Sequence, residues 1–283
     1  MITPQTRICE LQRLGGWAYT VDMKQIILSI AAIILTAGSS IGQSGLEKFT
    51  VLPGWRDADG HQIAALEMQL APDWMTYWRF PGDSGLPTLI DWSGSQNINH
   101  IEIIWPRPEV FEKDGLRSIG YKGNVFLPIK ITPINRDNPI DLKANISMGV
   151  CAEICIAEEV QIHETIPASG TRIPKIMAAL LDQPTQVQGG APTCKSEIKD
   201  GSYFIDLKWK TDKIDGPEYL IAEPDNPNIW FTMGQTERRG EWLFVRAELG
   251  HIDGGPISID RAKLRSTVIG AGQAITQIGC ERG

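Results

Sequence analysis

Between residues 46 and 167 apolar and polar positions alternate in short runs. Leu66, Met68 and Leu70 form one series and Ile101 and Ile103 another; Val125, Leu127, Ile129 and Ile131 follow, then Leu142, Ala144, Ile146, Met148 and Val150. A period of two puts each series on one face of a strand, so each predicts a strand with one side buried. Pro53-Gly54, Pro81-Gly82 and Asp114-Gly115 punctuate the runs. Short strands separated by such turn dipeptides predict an antiparallel, immunoglobulin-like sandwich and not an alternating α/β chain. The period lengthens only over residues 171–182, where Ile176, Met177, Leu180 and Leu181 follow Pro174 at helical spacing, before Pro184 and Gly189-Gly190. Proline suits a first helical turn, so a short helix is expected there. Alternation returns with Tyr203, Ile205, Leu207 and Trp209. Trp230 to Thr236 is expected to pair with Trp242 to Glu248 across a turn containing Gly240, and a last strand is expected from Ala274 to Ile278. The prediction is therefore all-β: a sandwich over residues 43–168, a helical connector over 169–190 and a second sandwich-like domain over 191–283.

Residues 1–42 do not fit that pattern. Ile26 to Leu35 is apolar, with Lys24 before it and Ala37, Gly38, Ser39, Ser40 and Gly42 after it, the shape of an export signal. Its core of roughly ten residues is short of the roughly 20 that cross a bilayer, so a cleaved signal is expected and no permanent membrane span. The mature chain is expected to begin near Gln43 or Ser44 and to be periplasmic, while Met23 offers an alternative start. A net charge of −7 with no long basic run leaves nothing to gather phosphates, which sets aside nucleic acid and acidic lipid as partners.

Removal of such a signal takes Cys9 with it and leaves Cys151, Cys155, Cys194 and Cys280. An even set in an oxidising compartment points to two disulfides; of the three pairings, spacing favours the close pair with the distant pair. Cys151 and Cys155 are four apart. In an extended strand that offset spans roughly 13 Å, whereas a disulfide needs Cα atoms about 4.4–6.8 Å apart. The chain is therefore expected to turn or coil after Val150, in a short helical or looped excursion, and to resume as a strand near Val160 and Ile162. So small a loop contributes about 2 kcal/mol or less of chain entropy, a weak reason for the bond. Exchange chemistry is a stronger one, because it needs one sulfur to be attacked and a second close by to resolve the mixed disulfide. Spacing alone supports an inert loop staple and a redox pair equally. Glu153, Glu158 and Glu159 are expected to oppose thiolate formation nearby. His61, His100, His163 and His251 form no ligand cluster with the cysteines, so zinc is not expected. Copper(I) on Cys151, Cys155 and Met148 is a minor alternative, and no other cofactor is indicated. Cys194 and Cys280 would close a long loop worth about 4 kcal/mol, which reads as a structural staple.

Trp74, Tyr77, Trp78, Trp92 and Trp105 read first as sandwich core, and Asp83 and Asp91 as turn residues that satisfy local backbone donors. A longer match then emerges. Trp78-Arg79-Phe80-Pro81-Gly82-Asp83-Ser84-Gly85, Asp91-Trp92-Ser93-Gly94-Ser95, Ile119-Gly120-Tyr121-Lys122-Gly123 with Leu127-Pro128, and the Cys151/Cys155 segment occur in that order. This stretch resembles the N-terminal periplasmic domain of the thiol:disulfide interchange protein DsbD, and more closely the standalone, copper-sensitivity-related relatives of that domain. The resemblance implies an immunoglobulin-like fold whose Cys151/Cys155 pair takes electrons from a membrane-embedded thiol reductase and passes them to periplasmic thioredoxin-like proteins. It also implies a cap loop over the pair, at Phe111 to Gly115 with Asp114 near its tip, and Tyr77 and Tyr121 lining the site. The chain departs from the family in its shorter cysteine spacing, in Ala157 where a proline often stands, and in the tip residues Glu112, Lys113 and Asp114, which include no ring. The competing reading is a non-enzymatic, disulfide-stapled interaction module or a copper(I)-binding envelope protein.

Overall fold

The structure, a computed structural model, describes Ser44–Gly283 apart from Ser84. The export signal expected over residues 1–42, with Cys9 and the alternative start at Met23, lies outside the described residues. From Ser44 onward the regular secondary structure is strand apart from one short helix among the described residues, and the chain folds as one compact unit.

The first half contains β1 (Leu46–Arg56), β2 (Gln62–Leu70), β3 (Met75–Gly82), β4 (Leu89–Asp91), β5 (Ile98–Ile103), β6 (Glu109–Lys113), β7 (Leu116–Lys122), β8 (Asn124–Pro133), β9 (Ile140–Cys151) and β10 (Cys155–Ile166). They form two antiparallel sheets, one in the order β1-β2-β8-β5 and one in the order β10-β9-β3-β7-β6 with β4 on β9. The alternating series close the core between them: Leu66, Met68, Leu127, Ile129 and Ile131 from one sheet meet Leu142, Ile146, Met148 and Val150 from the other. Burial of these side chains is the main force joining the layers. Strand β2 is buried on both faces, because Ile63 and Ala65 on its outer side are covered by Ile176 of the helix α1 (Pro174–Leu181). Pro174 stands in the first turn of that helix.

The second half contains β11 (Thr185–Gln186), β12 (Thr193–Lys199), β13 (Ser202–Lys210), β14 (Tyr219–Glu223), β15 (Ile229–Met233), β16 (Glu237–Arg239), β17 (Trp242–His251), β18 (Arg265–Gly270), β19 (Gln273–Ile278) and β20 (Glu281–Arg282). Again two sheets face each other, β11-β19-β18-β14 and β15-β17-β13-β12-β20 with β16 on β17. Ile205, Leu207, Trp209, Leu243 and Val245 pack on Leu220, Ala222 and Val268. Both halves are immunoglobulin-like sandwiches. The hairpin predicted around Gly240 differs in detail: β16 pairs with the start of β17, and β15 pairs further along it, from Met233↔Ala247 to Ile229↔His251. Residues 234–236 break the run, so one long strand becomes two short ones that share a partner. Cys194 and Cys280 are disulfide-bonded beside the parallel pair β12 and β20.

The two sandwiches meet along a buried seam. Trp78 and Ile119 of the first pack on Ile221, Ile269 and Ala274 of the second. Beside them Arg79 donates to both carboxylate oxygens of Glu223, at 2.6 and 2.9 Å, and Thr267 donates to the same carboxylate at 3.0 Å. Trp74, Trp92 and Trp105 are partly buried against the first core, as read from the sequence.

Candidate functional site

Strands β9 and β10 run in unbroken antiparallel register from Ile140↔Ile166 to Cys151↔Cys155. The hairpin closes through Ala152, Glu153 and Ile154, with the Ala152 N–H donating to the Ile154 carbonyl at 3.0 Å. Cys151 and Cys155 thus face each other across the last rung, with Cα atoms 4.1 Å apart, and are disulfide-bonded. The expected excursion after Val150 is a tight reversal with no helical turn, and the returning strand begins at Cys155, not near Val160. Direct opposition across an antiparallel pair brings Cα atoms to roughly 4.5–5.5 Å, so chain reversal alone achieves what coiling was expected to do.

The two sulfurs occupy different surroundings. Strand β9 lies between β10 and β3, and Met75 of β3 pairs with Cys151, which is only 4% exposed. Strand β10 is the last strand of its sheet, and Cys155 at its start is exposed. Behind the pair, Met75, Tyr77, Cys151 and Phe111 form one apolar cluster. The Tyr77 hydroxyl is 2.8 Å from Cys151 Sγ and 3.6 Å from Cys155 Sγ. A disulfide sulfur carries no hydrogen, so the phenol donates. Burial pushes the Tyr77 phenol above its usual value, against a smaller opposing effect of Ser118, and keeps it a donor at neutral pH.

Two glycines make the slot for that ring. A Cβ on Gly85 would lie 2.6 Å from Tyr77 Cδ1, and one on Gly149 would lie 2.8 Å from Tyr77 Cε2. Neither position has room for a side chain. Thr76, next along β3, donates to the Gly149 carbonyl at 2.9 Å and fixes β3 to β9 at this point.

The segment expected as a cap loop is the hairpin of β6 and β7. Its two-residue turn, Asp114-Gly115, has φ of 53° and 79°. Both angles are positive, as a type I′ turn requires. Phe111 presents its ring to the cysteine cluster, and Lys122 Nζ lies 4.9 Å from the centre of that ring. The ring that the tip residues lack is therefore supplied by Phe111, lower in the hairpin. Asp114 is exposed at the turn. Lys113 Nζ donates to Glu153 Oε2 at 2.9 Å, so one of the glutamates expected to oppose a thiolate faces a cation instead. Tyr121 is a correction. It pairs with Thr76, so its side chain leaves the sheet on the face opposite Tyr77, and its hydroxyl donates to the Pro106 carbonyl at 2.8 Å within the core. Met148 is another: it is buried with Val150 in the core between the sheets, away from the cysteines, so the set Cys151, Cys155 and Met148 does not come together for copper. Among the described residues, the group of metal-binding side chains within mutual reach is Asp57, Asp59 and His61, and it includes neither cysteine.

Gly85 and Lys122 enter the sequence reading only as part of the family match, and Met75 and Gly149 are given no role there, because each acts through a neighbour distant along the chain. Asp91 behaves as read, accepting from the Ser93 N–H at 2.9 Å. Asp83 does not: its carboxylate pairs with Arg117 at 3.2 Å, a partner in strand β7.

Comparison with known proteins places the first sandwich. Residues 48–167 match the family described as "Thiol:disulfide interchange protein DsbD, N-terminal". The fold is similar to the crystal structure of the N-terminal periplasmic domain of ScsB from Proteus mirabilis, with a TM-score of 0.60 at 20% identity over 85% of this chain and 100% of that one. No curated protein matches.

Proposed function

Starting from residues 48–167 as a segment that matches the DsbD N-terminal family, we propose that the chain is a periplasmic thiol:disulfide exchange module that relays electrons between protein partners through Cys151 and Cys155. The observation that carries this reading is the asymmetry of the pair: one sulfur exposed at a sheet edge, the other buried against a phenol donor. Exchange needs that division, since an attacking thiolate must reach one sulfur in line while the other leaves.

A thiolate of a membrane-embedded reductase attacks Cys155 Sγ. The Cys151–Cys155 bond breaks, its electron pair goes to Cys151 Sγ, and a mixed disulfide joins Cys155 to the partner. The departing Cys151 sulfur gains negative charge where the Tyr77 hydroxyl already points at it, and a hydrogen bond to the charged form stabilises it more than the disulfide. The partner's second thiolate then attacks its own sulfur in the mixed disulfide and releases Cys155 as thiolate. The partner leaves oxidised and this pair reduced, by two electrons. The same steps in reverse reduce an oxidised thioredoxin-like acceptor.

The test is a redox titration of the folded protein in graded thiol buffers, with free thiols trapped by an alkylating mass tag. The Cys151–Cys155 pair is expected to titrate above about −300 mV while Cys194–Cys280 stays oxidised. Resistance of both pairs until the protein unfolds would leave a disulfide-stapled interaction module in place of a relay.

A further inference from the structure

Both faces of the β6–β7 hairpin are occupied. On one face Phe111 covers the cluster of Met75, Tyr77 and Cys151. On the other, Val110 and Ile119 pack with Phe80 against Ile221, Ile269 and Ala274 of the second sandwich. Arg117 ties the two halves together. Its backbone N–H and its Nε both donate to Asp83 Oδ2 at 3.2 Å, its Nη1 donates to the Gly234 carbonyl at 3.0 Å, and its Nη2 donates to the Met233 carbonyl. Asp83 completes the clasp: its N–H donates to the Arg117 carbonyl at 2.8 Å, and its Oδ1 accepts from the Met233 N–H at 3.4 Å. The two side chains are 11% and 9% exposed. Higher on the hairpin, Glu112 lies near the Tyr219 phenol, which burial first and this carboxylate second push above its usual value. The space left between these surfaces is about 10 Å³, near the lower limit for one water molecule.

Strand β6 ends its sheet, and a strand with one neighbour and an exposed tip is weakly held by its own ladder. The Lys113–Glu153 pair on the solvent side is exposed, at 60% and 92%, and contributes little. The buried contacts on the face away from the disulfide come from Asp83 and from the second sandwich. We propose that the second sandwich holds the β6–β7 hairpin closed over the disulfide, with Arg117 as the positioning residue, so that Phe111 screens Cys151 while Cys155 stays open at the sheet edge. The consequence for partner access rests on the exchange reading, but the holding itself is measured without any partner.

The probe is Cys151 as a single free thiol, in a Cys9→Ser/Cys155→Ser variant of the full chain, with a bulky maleimide as reagent and the labelling rate as readout. Arg117→Ala in that background is expected to speed labelling by about tenfold or more, and Arg117→Lys by less, because local opening exposes the thiol in proportion to its population. Ile205→Val, a truncation in the second core away from the clasp, controls for a general loss of stability and is expected to leave the rate unchanged. A rate for Arg117→Ala within about twofold of its parent, or an equal rise with Ile205→Val, would overturn the proposal. If Arg117→Ala does not fold, amide exchange of the unaltered protein decides. Protection of residues 109–122 comparable to β18 supports the clasp, and exchange as fast as the loop at residues 252–263 defeats it. An inert pair in the redox titration would end the exchange reading and leave these results standing.

Discussion

Tyr77 does two jobs with one ring. Its hydroxyl meets Cys151 Sγ at 2.8 Å, and its ring fills the slot between Gly85 and Gly149. Burial pushes Tyr77 up, and burial pushes Tyr121 well above the usual phenol value. A group whose folded value is raised contributes stability that is fully present below the unfolded value and is lost as pH rises through the folded one. The unfolded phenol titrates near pH 10, so folding stability from denaturant titration is expected to fall above about pH 10. Tyr77→Phe keeps the ring and removes the titrating group, so its alkaline loss should be shallower than that of the parent. An alkaline limb of unchanged slope in the Phe variant would remove Tyr77 from the account.

At the scale of elements, alternation was enough to read most strands, the helix behind Pro174 and the sandwich class, but of the turn dipeptides only Asp114-Gly115 separates two strands, since Pro53-Gly54 lies within β1 and Pro81-Gly82 within β3. Pairing was harder to read. Tyr77 and Tyr121 looked equivalent along the chain, yet the register sets Tyr77 opposite Gly120 and Tyr121 opposite Thr76, so the two rings leave opposite faces. Register belongs to two strands at once and is written in neither. Asp83 and Arg117 were opaque for the same reason: a turn aspartate looks local until a strand from the other sandwich is set beside it. The cysteine pair was legible from its motif, but its closeness came from a hairpin that spacing treated as an interruption. The Asp114-Gly115 turn of the cap hairpin allows a direct check. A Cβ at Gly115 would meet no atom within 4 Å, so the cost of substitution there is conformational. Gly115→Val forces a β-branched residue into the left-handed region and should destabilise the hairpin by about 1–2 kcal/mol, against less for Gly115→Asn. Amide exchange over residues 109–122 measures the difference; equal protection in both variants would contradict it.

For the whole molecule, the two disulfides are expected to separate by role. Cys194 and Cys280 are 86 residues apart and join the two ends of the second sandwich. Replacing both with Ala is expected to cost about 4 kcal/mol in denaturant unfolding, with the Cys151–Cys155 potential unchanged. A shift of that potential would mean that the second core reaches the site by more than the clasp. The seam between the sandwiches carries its own consequence. Tyr77 and Trp78 are neighbours on β3, one turned to the sulfurs and the other to the second sandwich. An insertion of one residue just before them would trade the two rings between their duties, losing the disulfide's pocket and the domain seam in a single event. Descent can lengthen the loops at either end of this strand, but it must carry its two faces forward together, and with them both sandwiches as a single inherited block.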